Sequence, residues 1–225
     1  VFDLDDTLYP ERSFALSGFR AADVWAAERW GISGLGRDMA ALLDAGHLGG
    51  LFKLSLEKHR PEADEHDLAE LVKIYRTHPP DIELFADART ALDECAEFGP
   101  MGLITDGTHW MQENKVGALE IANRFQKIIY TGALGPDRQY HKPSPRAFEL
   151  MEAALAGDGV RLVYVGDNPA KDFIAPNQRG WETVQIIRPE KGIHDPTSVA
   201  PEGAPKHSLT SMDQLADLLR GLPAE

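Results

Sequence analysis

Apolar residues recur at helical spacing through residues 13–80 of the chain. Four amphipathic segments follow one another there, and each ends at or just before a glycine or a proline: Gly31, Gly46, Pro61 and Pro79. None of the four shows the strict alternation of a half-buried strand. The pattern therefore predicts a separate, all-helical bundle that is inserted near the start of the chain.

After residue 80 the pattern changes to short apolar runs that alternate with amphipathic helical segments. This alternation predicts a parallel sheet whose strands are joined by right-handed crossovers through helices. The predicted strands cover residues 101–104, 127–130, 161–165 and 182–187, with a short edge strand at 208–209. The predicted helices cover residues 87–98, 111–122, 143–156 and 170–179, with a terminal helix from residue 212.

These two patterns divide the chain into two predicted domains. Residues 1–12 and 81–225 are expected to form an α/β core, and residues 13–80 the helical insertion. Residues 189–205 are rich in proline, glycine and charged residues, so we expect a loop there.

The chain opens with two apolar residues, Val1 and Phe2, and then carries three carboxylates within four residues, at Asp3, Asp5 and Asp6. This order is typical of a buried strand that ends in a polar turn. Carboxylates so close repel one another unless a cation or a shared proton relieves them, and Mg2+ prefers oxygen ligands. An acidic helix N-cap gives the same pattern, so this stretch alone leaves both interpretations open. Because the chain opens inside this strand, we expect the strand to start before Val1.

Polar residues also follow two of the later predicted strands. Residues 105–107, Thr-Asp-Gly, come after one strand, and residues 166–168, Gly-Asp-Asn, come after another, with Asp172 a few positions on. Between them Lys142 stands just ahead of a predicted helix. The carboxyl ends of parallel strands meet at one edge of the sheet, where ligands bind in open α/β folds. The sequence therefore predicts a polar site at this edge.

The composition of the chain excludes some classes of binding partner and of cellular location. The 225 residues carry a net charge of −13, which argues against nucleic acid or an anionic membrane as a partner. The single cysteine, Cys95, excludes an internal disulfide and fits a reducing, cytoplasmic compartment. No signal peptide is visible, and no run approaches the ~18 apolar residues that a membrane-spanning helix needs.

Taken in order, these motifs resemble the four motifs of the haloacid dehalogenase-like (HAD) hydrolase superfamily. Each motif is weak alone, but four in order over nearly the whole chain are specific. The matching residues are Asp3-x-Asp5-x-Thr7, Thr105, Lys142-Pro143, and Gly166-Asp167 followed by Asp172. An all-helical insertion after the first motif resembles the helical-cap branch of the superfamily. The resemblance implies a Rossmann-like core with an inserted helical cap domain.

The resemblance and the chemistry imply the same catalytic roles. Asp3 would attack phosphorus and form an aspartyl-phosphate, and Asp5 would protonate the leaving oxygen and later deprotonate water. Mg2+ would be held by Asp3, the backbone carbonyl of Asp5, and Asp167. Asn168 would support these ligands, and Asp172 would support the metal or hold the motif lysine.

Phosphate binding is assigned to two further segments. The Thr105 hydroxyl and the backbone N–H groups of Asp106 and Gly107 would surround the phosphoryl oxygens. Lys142 would balance their charge and that of Asp3. Asp106 places an acid where an uncharged Asn is familiar in relatives, which is harmless only if its carboxylate faces away from the phosphate.

We therefore expect a Mg2+-dependent phosphatase that acts on a small phosphorylated substrate, such as a sugar phosphate, a nucleoside monophosphate or a phosphoglycolate-like acid. A phosphomutase would use the same acids. A 2-haloacid dehalogenase shares the nucleophile but needs no acid at Asp5. A receiver-type phospho-acceptor module is the non-enzymatic alternative, although it carries no helical insertion of this length. The protein is expected to be a monomer or a homodimer.

Overall fold

The structure is a computed structural model that describes residues 1–47, 49–155, 157, 159–188, 192, 197, 199–200 and 202–223. Most of the predicted loop at 189–205 lies outside these residues. The chain divides into two compact units, one made of Val1–Pro10 with Glu83–Glu225 and the other of Glu11–Ile82. Within the described part of the chain, every helix is too short or too polar to cross a membrane.

The smaller unit is all-helical. Its helices are α1 (Glu11–Trp30), α2 (Leu35–Asp44), α3 (Leu51–His59) and α4 (Glu65–Thr77). Glycines with positive φ precede α2 and α3, and a reciprocal capping box of Asp64 and Asp67 starts α4. The apolar faces of the four helices meet in one core, whose buried members include Phe19, Leu35, Met39, Leu56 and Leu71.

The larger unit contains a parallel sheet, which confirms the predicted α/β architecture. Its strands are β1 (Gly102–Thr105), β2 (Lys127–Tyr130), β3 (Val163–Gly166), β4 (Glu182–Ile186) and β5 (His207–Leu209). Strand β1 pairs with β2, and β3, β4 and β5 pair in that order, always in parallel.

The opening residues connect the two groups of strands. Phe2 bridges in parallel to Leu103 of β1 on one side and to Val165 of β3 on the other. Its N–H donates to Gly102 O at 2.9 Å, and the N–H of Asp3 donates to Val165 O at 2.8 Å. The opening segment, β1 and β3 therefore lie side by side, and their carboxyl ends share one edge of the sheet.

Among the described residues of this unit the α-helices are α5 (Ala86–Cys95), α6 (His109–Ala118), α7 (Arg146–Leu155), α8 (Ile174–Gln178) and α9 (Leu215–Gly221). The prediction that α8 starts at residue 170 was wrong, because the chain forms a turn at 168–172 first. In that turn the N–H of Asn168 donates to Asp172 Oδ2 at 2.9 Å, and the N–H of Ala170 donates to Asn168 Oδ1 at 3.1 Å. Side chains satisfy the backbone there, so the helix begins later.

Asp87, in the first turn of α5, joins three parts of the α/β unit. Its Oδ2 accepts hydrogen bonds from Arg188 Nη1 at 2.5 Å, from the N–H of Met212 at 2.9 Å and from Ser211 Oγ at 3.2 Å. Arg188 Nη2 in turn donates to the backbone oxygen of Thr7 at 2.7 Å. Burial raises the pKa of Asp87, but the Met212 N–H and the Arg188 charge outweigh it and lower that pKa below its usual value.

We expect Asp87→Asn to lower the free energy of unfolding at pH 7 by about 1–2 kcal/mol, because hydrogen bonds to a partly screened charge are lost. A folded-state pKa below the unfolded value stabilises the fold above the unfolded pKa, and this stability is lost as pH falls through the folded pKa. The difference from wild type, measured by urea denaturation, should therefore shrink in acid.

Asp217→Asn is the control, because Asp217 forms an exposed ion pair with Arg220 and its side chain is 86% accessible. We expect almost no change in the free energy of unfolding for this variant. Equal losses in the two variants, or a loss in Asp87→Asn that does not depend on pH, would contradict the role given to Asp87.

Candidate active site

Asp3 and Lys142 form the centre of the candidate site. The Asp3 carboxylate is buried where the opening strand segment ends, and its Oδ1 lies 2.6 Å from Lys142 Nζ. The same ammonium lies 2.7 Å from Asp172 Oδ1 and donates to the Tyr164 hydroxyl at 3.0 Å. Burial lowers the pKa of Lys142, but the carboxylates of Asp172 and Asp3 outweigh it and raise that pKa well above its usual value. Lys142 is therefore a buried cation between two acids.

A cluster of three carboxylates lies around this lysine. One oxygen of each of Asp3, Asp167 and Asp172 lies within 4.8 Å of the others. Burial, and then the Asp172 and Asp3 charges, raise the pKa of Asp167 well above its usual value. Burial raises the pKa of Asp3 to about 7, although Lys142 opposes that rise. Hard carboxylate oxygens that lack sufficient positive charge are suited to a divalent cation such as Mg2+.

The members of this cluster differ in what they already bind. Asp172 has one oxygen on Lys142 and accepts the N–H of Asn168 with the other. Asp167 accepts a long hydrogen bond, 3.5 Å, from the Thr7 hydroxyl. Asp3 and Asp167 are thus the better-placed cation ligands, while Asp172 orients the lysine and Asn168 orients Asp172.

The side chain of Asp5 lies in a separate group and is absent from the three-carboxylate cluster found among the described residues. Its Oδ1 accepts hydrogen bonds from Tyr9 Oη at 2.5 Å and Lys115 Nζ at 2.7 Å, and its Oδ2 accepts one from Gln112 Nε2 at 2.8 Å. Burial raises the pKa of Asp5, but the Lys115 charge and the three hydrogen bonds outweigh it and lower that pKa below its usual value. The metal contact predicted through the Asp5 backbone carbonyl stays a prediction.

Gln112 also connects Asp5 to the predicted phosphate-binding residues. Its Nε2 lies 2.5 Å from the hydroxyl oxygen of Thr105, which is fully buried at the end of β1. Gly107 has a φ of 133°, and a Cβ atom there would lie 3.1 Å from the Gln112 side chain. Glycine at this position therefore allows both the left-handed backbone and the close approach of Gln112.

Asp106 turns its carboxylate toward three donors: the Thr131 hydroxyl, the backbone N–H of Lys142 and the ammonium of Lys171. Burial raises its pKa, but the Lys142 and Lys171 charges and these hydrogen bonds outweigh it and lower that pKa below its usual value. Both oxygens of this acid therefore have partners within the protein. Its orientation toward a phosphate stays a prediction.

Sequence reasoning missed four residues of the site: Tyr9, Gln112, Lys115 and Lys171. One signal was available, because Gln112 and Lys115 stand three positions apart in a predicted helix, which places them on one face. Lys115 is 1% exposed, and a lysine so deeply buried requires a partner charge. The sequence alone does not identify that partner.

The parallel sheet and the acidic edge define a class of α/β proteins that bind ligands at the carboxyl ends of their strands. A family model for haloacid dehalogenase-like hydrolases matches residues 1–178. The chain therefore belongs to the haloacid dehalogenase-like hydrolase family, as the motifs predicted.

The chain is 26% identical over 235 residues to the glyceraldehyde 3-phosphate phosphatase of Methanopyrus kandleri, covering 99% of this chain and 97% of that protein. It is similar to the HAD-hydrolase YfnB of Bacillus subtilis bound to magnesium, with a TM-score of 0.69, 17% identity, and coverage of 97% and 96% of the two chains. A 2-haloacid dehalogenase from Pseudomonas syringae gives a TM-score of 0.63 and 21% identity, again over 97% and 96%. These structural similarities show the fold.

We expect Lys115→Met to raise the pKa of Asp5, because the cation that stabilises its ionised form is removed. Carbon-13 NMR of the aspartate carboxyl groups in metal-free protein would measure this titration. Lys127→Met serves as the control, since Lys127 is an exposed lysine on β2. An Asp5 that titrates in Lys115→Met as it does in wild type would contradict the assignment.

Proposed function

We propose that this protein is a phosphoric monoester hydrolase that acts on a small phosphorylated metabolite. The observation that carries the proposal is the buried Asp3 carboxylate, held at 2.6 Å by Lys142 beside Asp167 and Asp172. Family membership and the similarity to a glyceraldehyde 3-phosphate phosphatase support it. The particular substrate class, sugar phosphate, nucleotide or phosphoglycolate-like acid, remains part of the proposal.

The reaction has two steps, and Asp3 takes part in both. A carboxylate oxygen of Asp3 attacks phosphorus while the bond from phosphorus to the leaving oxygen breaks. Asp5, which must first take up a proton against the lowering of its pKa by Lys115, gives that oxygen the proton. Water then attacks phosphorus and gives its proton to Asp5, and the bond between phosphorus and Asp3 breaks. The enzyme returns to its starting protonation, and inorganic phosphate leaves.

The partners of each acid support this division of work. Lys142 holds Asp3 from one side and thereby leaves one carboxylate oxygen available for attack. Tyr9, Gln112 and Lys115 hold Asp5 by three hydrogen bonds, which fixes the direction from which it exchanges a proton. Gln112 extends the same support to Thr105, the proposed phosphate ligand.

Mg2+ is the proposed cofactor, held by Asp3, Asp167 and the backbone carbonyl of Asp5. When bound, it would neutralise the clustered carboxylates and the phosphoryl oxygens so that two anionic groups can approach each other. The three-carboxylate cluster fits such an ion because its donors are hard oxygens and its excess charge is negative.

The all-helical unit is proposed to be a cap that governs which leaving group is accepted. The same acids would serve a phosphomutase, which returns the phosphoryl group to a second position of a sugar. A dehalogenase needs neither a metal nor an acid at Asp5, and the three hydrogen bonds made to Asp5 favour a role for that acid.

We expect the protein to release phosphate from p-nitrophenyl phosphate in the presence of Mg2+ and to lose this activity in EDTA, because the acidic cluster repels a phosphate dianion without a cation. Asp167→Asn should raise the Mg2+ concentration for half-maximal rate by at least about tenfold. The control is Asp213→Asn, which alters an exposed acid in a short 3-10 helix.

Full activity in excess chelator, or an unchanged Mg2+ titration of Asp167→Asn, would contradict the metal assignment. Release of chloride from 2-chloropropionate without release of phosphate would contradict the phosphatase proposal and favour a dehalogenase.

Replacing Asp3 and replacing Asp5 by Asn should affect different parts of the reaction. Asp3→Asn removes the nucleophile, so turnover should fall to background and no covalent intermediate should form. Asp5→Asn keeps the nucleophile, but each step should slow by about 10²–10⁴-fold. With a good leaving group, rapid quench of Asp5→Asn should trap a hydroxylamine-sensitive phosphoryl label on the protein. Label retained in Asp3→Asn would mean that another residue is the nucleophile.

A further inference from the structure

Asp106 is an acid at a position where an anion is expected to bind. It lies between Thr105 and Gly107 in the predicted phosphate cradle, and its side chain is 12% accessible. Its Oδ1 accepts hydrogen bonds from Thr131 Oγ1 at 2.8 Å and from the N–H of Lys142 at 3.1 Å. Neither of these two donors is a cation. The Lys142 charge also lowers the pKa of Asp106, but the Lys142 ammonium is in direct contact with Asp3 and Asp172.

Lys171 supplies the compensating charge. Its Nζ lies 3.2 Å from Asp106 Oδ2, and the side chain is 29% accessible. The backbone of Lys171 is fixed in the turn that follows β3, where its N–H donates to Asn168 O at 3.1 Å. Burial and the Lys142 charge lower the pKa of Lys171, but the charges of Asp172, Asp3 and Asp106 outweigh them and raise that pKa above its usual value. Lys171 thus stands between the predicted phosphate loop and the acidic cluster.

Negative charge already dominates this end of the sheet. The four acids Asp3, Asp106, Asp167 and Asp172 face the two lysines Lys142 and Lys171. Lys142 forms ion pairs with both Asp3 and Asp172, so its charge is already balanced by those two acids. An Asp106 without Lys171 would therefore repel a phosphate dianion in a partly buried site.

We propose that Lys171 is a positioning residue for anion binding, which neutralises Asp106 so that the loop of residues 105–107 can face a phosphate. The proposal rests on the proposed function, since it takes the anion to be the phosphate group of the substrate. It differs from direct binding of phosphate by Lys171, because in our proposal the lysine is needed only while Asp106 is an acid. Removing both charges should therefore restore the affinity for phosphate that is lost when only the lysine is removed.

A double-mutant cycle tests this, with isothermal titration of inorganic phosphate into the Mg2+-loaded protein as the readout. We expect Lys171→Met to raise the Kd for phosphate by about tenfold, because Asp106 becomes an uncompensated charge. Asp106→Asn should leave the Kd within about threefold of wild type, because the acid that it removes is already neutralised by Lys171. The double variant should return to within about threefold of wild type. With p-nitrophenyl phosphate as substrate, Lys171→Met should raise KM and leave kcat almost unchanged.

Lys206→Met is the matched control, because Lys206 Nζ lies 3.1 Å from Glu182 Oε1 in a comparable ion pair. It should change the unfolding temperature about as much as Lys171→Met and leave the Kd for phosphate unchanged. A double variant as weak as Lys171→Met would overturn the proposal and show that Lys171 touches the phosphate itself. An unchanged Kd in Lys171→Met would overturn it as well.

Different results would contradict the proposed function and the role of Lys171. Wild-type protein that neither binds phosphate nor releases it from p-nitrophenyl phosphate would overturn the phosphatase assignment and this inference together. Wild-type protein that does both, combined with a double variant that is not restored, would overturn only the role of Lys171.

Discussion

Carboxylates removed from water stay ionised only where positive charge faces them, and in this protein Lys142 supplies that charge at the centre of the site. Its ammonium lies within 2.7 Å of both Asp3 and Asp172. Without it, two acids at the end of the sheet would be buried and unpaired, and such groups become protonated or destabilise the fold. Burial raises the pKa of Asp3, Lys142 opposes that rise, and the proposed chemistry needs the ionised form of Asp3.

The parallel arrangement of the sheet brings the charged residues of the site together. Phe2 bridges in parallel to β1 and β3, so three chain segments that are distant in sequence end at the same edge. Asp3 and Asp5 lie where the opening segment ends, Thr105 ends β1 and Asp106 follows it, and Asp167 follows β3. Parallel strands need helical crossovers, and one crossover helix, α6, returns Gln112 and Lys115 to Asp5.

Lysines from three segments neutralise carboxylates at this edge of the sheet. Lys115 pairs with Asp5, Lys142 with Asp3 and Asp172, and Lys171 with Asp106. Each comes from a different segment, so each pair also joins two parts of the fold. The carboxylate of Asp167 is the member of the acidic cluster most in need of a cation, since its pKa is raised by burial and by its acidic neighbours. This imbalance is the physical reason for proposing a Mg2+ ion there.

The sequence by itself determined the helical and α/β segments, their order and the family, because hydrophobic periodicity and turn residues are local features. Strand β2 was predicted at its observed bounds, whereas α8 starts later than predicted because side chains of the 168–172 turn compete with the helix. The tertiary structure decided the partners of the acids. Lys115 reaches Asp5 across 110 positions, and Lys171 reaches Asp106 across 65. A charged pair is chosen by distance and burial in the folded chain, and neither quantity is encoded in local residue pattern.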